Sequence, residues 1–181
     1  MAEYIYLQER ISLTPITQDD IPTLVRYLND PVLYHNTLRI PTPYTEKDAI
    51  EWLSLVQALQ EEHGTRPNWA IRDQEHGLIG SIGCFLHTGL DGHRDEIGYW
   101  LAEPFRGQGI MTTVVRGYCQ WLFDQRPALV RLEAKVFSFN LASARLLEKA
   151  GFEREGFARK LTIKNGELID VILMARFRAT Q

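Results

Sequence analysis

The sequence predicts a mixed α+β domain of mostly antiparallel strands flanked by helices. Three observations predict it. Val130, Leu132, Ala134 and Val136 alternate with Arg131, Glu133 and Lys135, the period of a half-buried strand. Ile110, Val114, Tyr118 and Leu122 recur at helical spacing. Between and around these two patterns, strands and helices follow in an order that does not repeat, unlike a regular βαβ array.

Taken in order, Ile11-Ser12-Leu13-Thr14 alternates like a first strand. Thr17-Gln18-Asp19-Asp20 opens a helix with an acidic first turn and with Pro22 where a missing N–H costs little. Asn29-Asp30-Pro31 closes it, and Val32 to Tyr44 reads as irregular. A second helix starts near Thr45, carries Ala49, Trp52, Leu53, Val56 and Leu59, and ends by His63-Gly64. Three strands follow, around Asn68 to Arg72, Leu78 to Leu86 and Ile97 to Leu101, with short connections that favour antiparallel pairing. The long helix from Ile110 stops before Pro127. After the alternating strand comes a short helix over Asn140 to Ala150, ended by Gly151. Strands around Phe152 to Gly156 and Leu168 to Phe177 close the fold.

The chain has 181 residues, enough for one domain, which we assign to 1–181. It is 45% hydrophobic and 24% charged with a net charge of -3, so no basic face for nucleic acid is implied. Arg154 to Lys160 is broken by Glu155 and Phe157 and reads as a solvated strand edge. Cys84 and Cys119 lie in apolar segments with no Cys or His at ligand spacing, which predicts buried free thiols, no metal site and a cytoplasmic setting. His87 and His93 flank Asp91 in a hairpin-like loop, read as a turn rather than a metal centre. No stretch approaches a membrane span, and the first ten residues lack the apolar run of a signal peptide.

The informative run is Glu96-Ile97-Gly98-Tyr99-Trp100-Leu101 followed by Pro104-Phe105-Arg106-Gly107-Gln108-Gly109-Ile110-Met111-Thr112. A strand enters a glycine turn that opens a helix. Such a turn lets backbone approach a ligand, and the first N–H groups of the helix favour an anion. The segment lacks the G-x-x-x-x-G-K-[ST] loop, and Thr112 stands where a dinucleotide fingerprint needs its third glycine. Phosphate held by another scheme is what the residues predict.

Arg106-Gly107-Gln108-Gly109-Ile110 resembles the R/Q-x-x-G-x-G/A pyrophosphate loop of the GCN5-related N-acetyltransferases; at the sixth place Met111 stands where Gly or Ala is usual. Other segments resemble the RimJ/RimL-type branch of that family. Glu9 to Ile16 is similar to its opening strand, and Pro43-Tyr44-Thr45 with Ala49 and Trp52 to its second helix. Asn140 to Phe152 is similar to its N-x-x-S-x-R-x-x-E-K-x-G-F segment, and Asn165-Gly166 with Asp170 to its closing hairpin.

The resemblance implies that fold's twisted sheet and an enzyme taking acetyl-CoA as co-substrate. It implies that Arg106, Gly107, Gln108, Gly109, Ile110, Met111 and Thr112 hold the pyrophosphate through backbone N–H groups. Tyr99, Trp100 and Leu101 would pair with the pantetheine arm like an added strand, Asn140 would bond its amide, and Arg145 would lie nearer the nucleotide. Glu96 is the implied general base and Ser143 the implied general acid, with Tyr118 and Tyr99 as substitutes. The residues alone also allow Glu96 an ion pair with Arg94, Asn140 a helix cap, and Ser143 a place on a helix turn. Tyr34, His35, Tyr44 and Asp170 would shape the acceptor pocket. The acceptor implied is a primary amine, foremost a protein or peptide N-terminus, for a monomer or homodimer. A polyamine or aminoglycoside acceptor, and an acyl-CoA sensor without catalysis, stand as alternatives.

Overall fold

The computed structural model describes residues 4–8 and 10–179. It contains eight strands and five α-helices among the described residues. The chain falls into two compact units. One holds the chain up to Gly83 together with Tyr99–Ile110; the other holds Cys84–Gly98 together with the chain from Met111 onward.

In the first unit, β1 (Ile5–Gln8), β2 (Ile11–Thr14), β3 (Asn68–Asp73) and β4 (Gly77–Cys84, its last residue in the second unit) form an antiparallel meander. The first strand is absent from the sequence reading. Its four residues are too few to establish a period beside charged neighbours, and its place is fixed by pairing Ile5 with Leu13. α1 (Ile21–Leu28) follows a 3₁₀ turn over Gln18–Asp20. Asp20 is buried there and accepts from both ends of the Arg72 guanidinium, at 2.9 and 2.8 Å, while Arg72 Nε donates to Thr14 Oγ1 at 2.6 Å. A fork of this kind satisfies a carboxylate that burial would otherwise penalise.

The segment read as irregular contains α2 (Pro31–Asn36). The same three residues that end α1 also start this helix. Asn29 closes one, and Asp30 caps the next through the Val32 amide at 2.7 Å, with Pro31 in the first turn. α3 (Glu46–His63) begins at Thr45 with a capping box to Asp48, as the sequence predicts. Leu13, Leu24, Trp69, Ile71 and Ile79 are fully buried and make this unit's core.

β5 (Arg94–Leu101) runs through both units. In the second unit its residues Arg94–Glu96 pair parallel with Arg131–Glu133 of β6 (Arg131–Phe137). β6 pairs antiparallel with β8 (Glu167–Phe177), and β8 with β7 (Glu153–Lys164). The strand order is β1-β2-β3-β4-β5-β6-β8-β7, with β7 at an edge. β7 is longer than its sequence signal because its apolar residues Phe157, Leu161 and Ile163 face solvent, and two register breaks interrupt its pairing. α4 (Ile110–Gln125) and α5 (Leu141–Lys149) complete the chain. Val114, Tyr118, Leu132, Leu147 and Met174 are buried to within a percent or so and form the second core. Among the described residues no helix is long and apolar enough to cross a membrane.

Candidate active site

The loop after β5 has the geometry that its glycines predict. Gly107 and Gly109 sit at φ +76° and +77°, a conformation that costs residues with a side chain. Both face open space, so backbone conformation alone demands glycine here. Among the described residues no carbonyl accepts from the amides of Gly107, Gln108 or Gly109. Ile110 follows them and opens α4, and the first amides of a helix have no partner inside it. Gln108 turns its side chain back to the Pro104 carbonyl at 3.0 Å. The buried Met111 side chain packs away from solvent, and Thr112 is half-buried. Backbone donors left uncommitted at a helix N-terminus favour an anion.

Arg106 behaves differently from its neighbours. Its amide donates to Glu103 at 3.1 Å, so that N–H is not offered to a ligand. Its Nε donates to the Leu101 carbonyl at 2.9 Å, and its Nη2 donates to Asp30.

β5 supplies the approach to the loop. Ala102 N donates to Ile79 O at 2.9 Å, which fastens the end of β5 to β4. A Cβ at Gly80 would stand 2.5 Å from the Trp100 carbonyl, so only glycine permits this approach of the two backbones. The recorded register with β6 ends at Glu96. Trp100 and Leu101 are buried and Tyr99 is half-buried.

Glu96 is half-buried, and its Oε2 accepts from Lys135 Nζ at 2.7 Å. The ion pair that the sequence suggests with Arg94 does not form. Arg94 turns to Asp91 at 3.1 Å and to Glu133, diagonal to it across the ladder, at 3.5 Å, while Glu96 is taken by Lys135. The neighbouring Asp95 is fully buried. Its carboxylate accepts from the amides of Phe85 and Glu96 at 3.1 and 2.9 Å and from Arg126 at 2.5 Å. Phe85 N also donates to Glu96 O at 3.1 Å, so the backbone around Glu96 is held from several sides. Asp95 is absent from the sequence reading; its place in phase with Ile97 on an alternating strand is the signal that could have found it.

Asn140 caps α5, its Oδ1 accepting from Ser143 N at 3.2 Å. That brings Asn140 and Ser143 together and leaves the Asn140 Nδ2 group to donate elsewhere. Arg145 is exposed one turn on, with its Nε directed to the Leu141 carbonyl at 3.3 Å. Tyr118 is fully buried, and burial raises its hydroxyl well above the ordinary value; the Cys84 thiol faces it. Tyr34 and His35 lie on α2, half-buried and exposed. Tyr44 is buried, clamped to Asn29 by two bonds at 2.9 and 2.8 Å, and its hydroxyl is pushed up to about 12 by burial and then by Asp48. Asp170 on β8 is half-buried and accepts from Lys160 N at 2.7 Å.

A family model of the acetyltransferase (GNAT) domain matches residues 10–153. The uncharacterized N-acetyltransferase YoaA of Bacillus subtilis is 33% identical over 166 residues, 90% of either chain. The probable N-acetyltransferase YjcK of the same organism is 49% identical over 89 residues, and there the chain spans about half (49%) of the relative. The L-amino acid N-acetyltransferase AaaT of Escherichia coli is 26% identical, covering 82% of this chain and 86% of its own. Among solved structures, RimL, a ribosomal L7/L12 alpha-N-protein acetyltransferase in complex with coenzyme A, superposes with a TM-score of 0.85 at 22% identity, covering 97% and 98% of the two chains. The ribosomal-protein-S5-alanine acetyltransferase of Vibrio fischeri gives 0.81 at 26% identity and 94% of each chain. With the loop, the sheet and these likenesses in agreement, the chain belongs to the GNAT acetyltransferase family and is an N-acetyltransferase whose co-substrate is acetyl-CoA.

Proposed function

We propose that the chain transfers the acetyl group of acetyl-CoA by direct attack of a primary amine, and that this amine is the α-amino group of a protein or peptide N-terminus. The observation that carries the reading is the loop, where two positive-φ glycines leave a row of amides uncommitted in front of α4. Gly107, Gln108, Gly109, Ile110, Met111 and Thr112 hold the diphosphate, and Arg106 braces them through its side chain. Tyr99, Trp100 and Leu101 take the pantetheine arm on their backbone, beyond the point where the register with β6 ends. Asn140 donates to an amide of that arm through Nδ2, and Arg145 serves the nucleotide end.

Amine attack on a thioester needs the neutral amine. An α-amino group has a pKa near 8, so about a tenth is neutral at pH 7, against a few per ten thousand for a lysine. Glu96 acts as base through a water at Oε1, since Oε2 is taken by Lys135. A backbone N–H of β5 stabilises the oxyanion. Ser143 protonates the departing thiolate; it is half-buried in the first turn of α5, whereas Tyr118 is sealed in the core. Tyr34, His35, Tyr44 and Asp170 shape the acceptor side.

Two similar proteins whose names state an acceptor support an α-amine, although a spermidine N-acetyltransferase shares the fold with a TM-score of 0.75 at 18% identity. One acts on L-amino acids, another on the alanine of ribosomal protein S5. The test is an acceptor panel with acetyl-CoA: peptides with free N-termini, the same peptides blocked, spermidine and an aminoglycoside. Turnover confined to free N-termini supports the reading. Turnover on spermidine or the aminoglycoside, with none on peptides, overturns it.

A further inference from the structure

Arg106 opens the glycine loop, yet neither its amide nor its guanidinium is turned toward a ligand. The amide serves Glu103, and the guanidinium joins the Leu101 carbonyl to the Asp30 carboxylate. Asp30 has a second task. Its other oxygen, Oδ1, accepts from Val32 N at 2.7 Å and caps α2. The two side chains are 29% and 16% exposed, so the pair is sheltered rather than a surface contact. It joins positions 76 apart in the chain. One guanidinium thus gathers the end of β5, the start of the loop and the first turn of α2. A loop with two glycines loses more backbone freedom on ordering than most, and it gains from an outside anchor.

We infer that Asp30 is a positioning residue for the diphosphate loop, acting through Arg106, and that the same pair ties the loop to α2, the helix bearing Tyr34 and His35. The inference rests on reading the loop as the diphosphate site of coenzyme A. Asp30 makes no contact with that ligand in this scheme. It fixes the direction in which Arg106 leaves β5, and hence the line along which Gly107, Gln108 and Gly109 present their amides.

Two substitutions separate this role from simple helix capping. Asp30→Ser keeps a good cap but removes the carboxylate; Asp30→Glu keeps a carboxylate but caps poorly. The measurement is calorimetry on the full chain, with coenzyme A and with adenosine 3′-phosphate 5′-diphosphate, which retains the diphosphate and lacks pantetheine. Asp30→Ser is expected to weaken both ligands by the same factor, about tenfold, the scale of one lost bond to a charged group. Asp30→Glu is expected to stay within about twofold of the parent, since its carboxylate still reaches the guanidinium. Arg106→Gln, which breaks the pair without touching the cap, should match Asp30→Ser and serves if the latter does not fold. The opposite ranking, with Asp30→Glu weak and Asp30→Ser intact, overturns the inference, as do equal affinities throughout. A parent chain that binds neither ligand removes the loop reading and the inference with it.

Discussion

Lys135 Nζ lies 2.7 Å from Glu96 Oε2, joining β6 to the strand that leads into the glycine loop. Glu96 therefore gives one oxygen to a fixed partner, and the proposed role as base falls to the other. Its exchange for glutamine is expected to lower kcat about 10²- to 10⁴-fold, the usual contribution of a positioned base. Coenzyme A affinity by calorimetry should stay the same, because the loop is untouched. Undiminished turnover at every pH would remove Glu96 from the mechanism.

Gly109→Val places a β-branched residue at φ +77°. A Cβ there meets nothing within 4 Å, so the cost begins with backbone strain of about 1–3 kcal/mol, met by rearranging the loop. Coenzyme A binding is expected to vanish while circular dichroism stays that of the parent. Retained affinity would show that the cradle lies elsewhere.

Asp73 gives a pH prediction. Burial works against its charge, but bonds from the His76 ring, the Glu75 amide and Arg10 outweigh that and draw its pKa down to about 2. A carboxyl lowered in the folded state stabilises above its unfolded pKa, near 3.9, and that contribution fades as pH falls toward about 2. Thermal melting between pH 5 and 2, each set as an experimental condition of about that value, should fall more steeply in the parent than in Asp73→Asn. Parallel curves would contradict the assignment.

The two thiols provide a further check. Burial, helped at Cys84 by the charge of Asp95, pushes Cys84 up to about 12, and burial does the same at Cys119. Little thiolate is present at neutral pH. Iodoacetamide is expected to leave both unmodified in the native protein and to label both in denaturant, read by intact mass. Rapid native labelling of either would place it outside the core.

How much of this was legible in the sequence follows from how local each signal is. The helix from Thr45 carries its own cap, and Val130 to Val136 its own period, so both emerged with nearly the right bounds; Val130 itself proved exposed and lies just before β6. The glycine loop was legible because positive φ selects a residue type. α2 was not, since Asn29-Asp30-Pro31 is at once a stop and a start, and a single sequence shows the stop first. Partners across the sheet were illegible for a different reason. Whether Glu96 meets Arg94 or Lys135 is decided by the register of β5 on β6, which no run of neighbours encodes. The Arg106–Asp30 pair, 76 positions apart, belongs to the same class.

The last strand in the order carries Phe157, Leu161 and Ile163 on its exposed side, a composition that ordinarily invites stacking into fibres. Its two bulges and the left-handed Lys160, at φ +53°, deny a second chain the straight rail it would need to attach. An incoming strand would meet an interrupted ladder along this greasy margin rather than a continuous one.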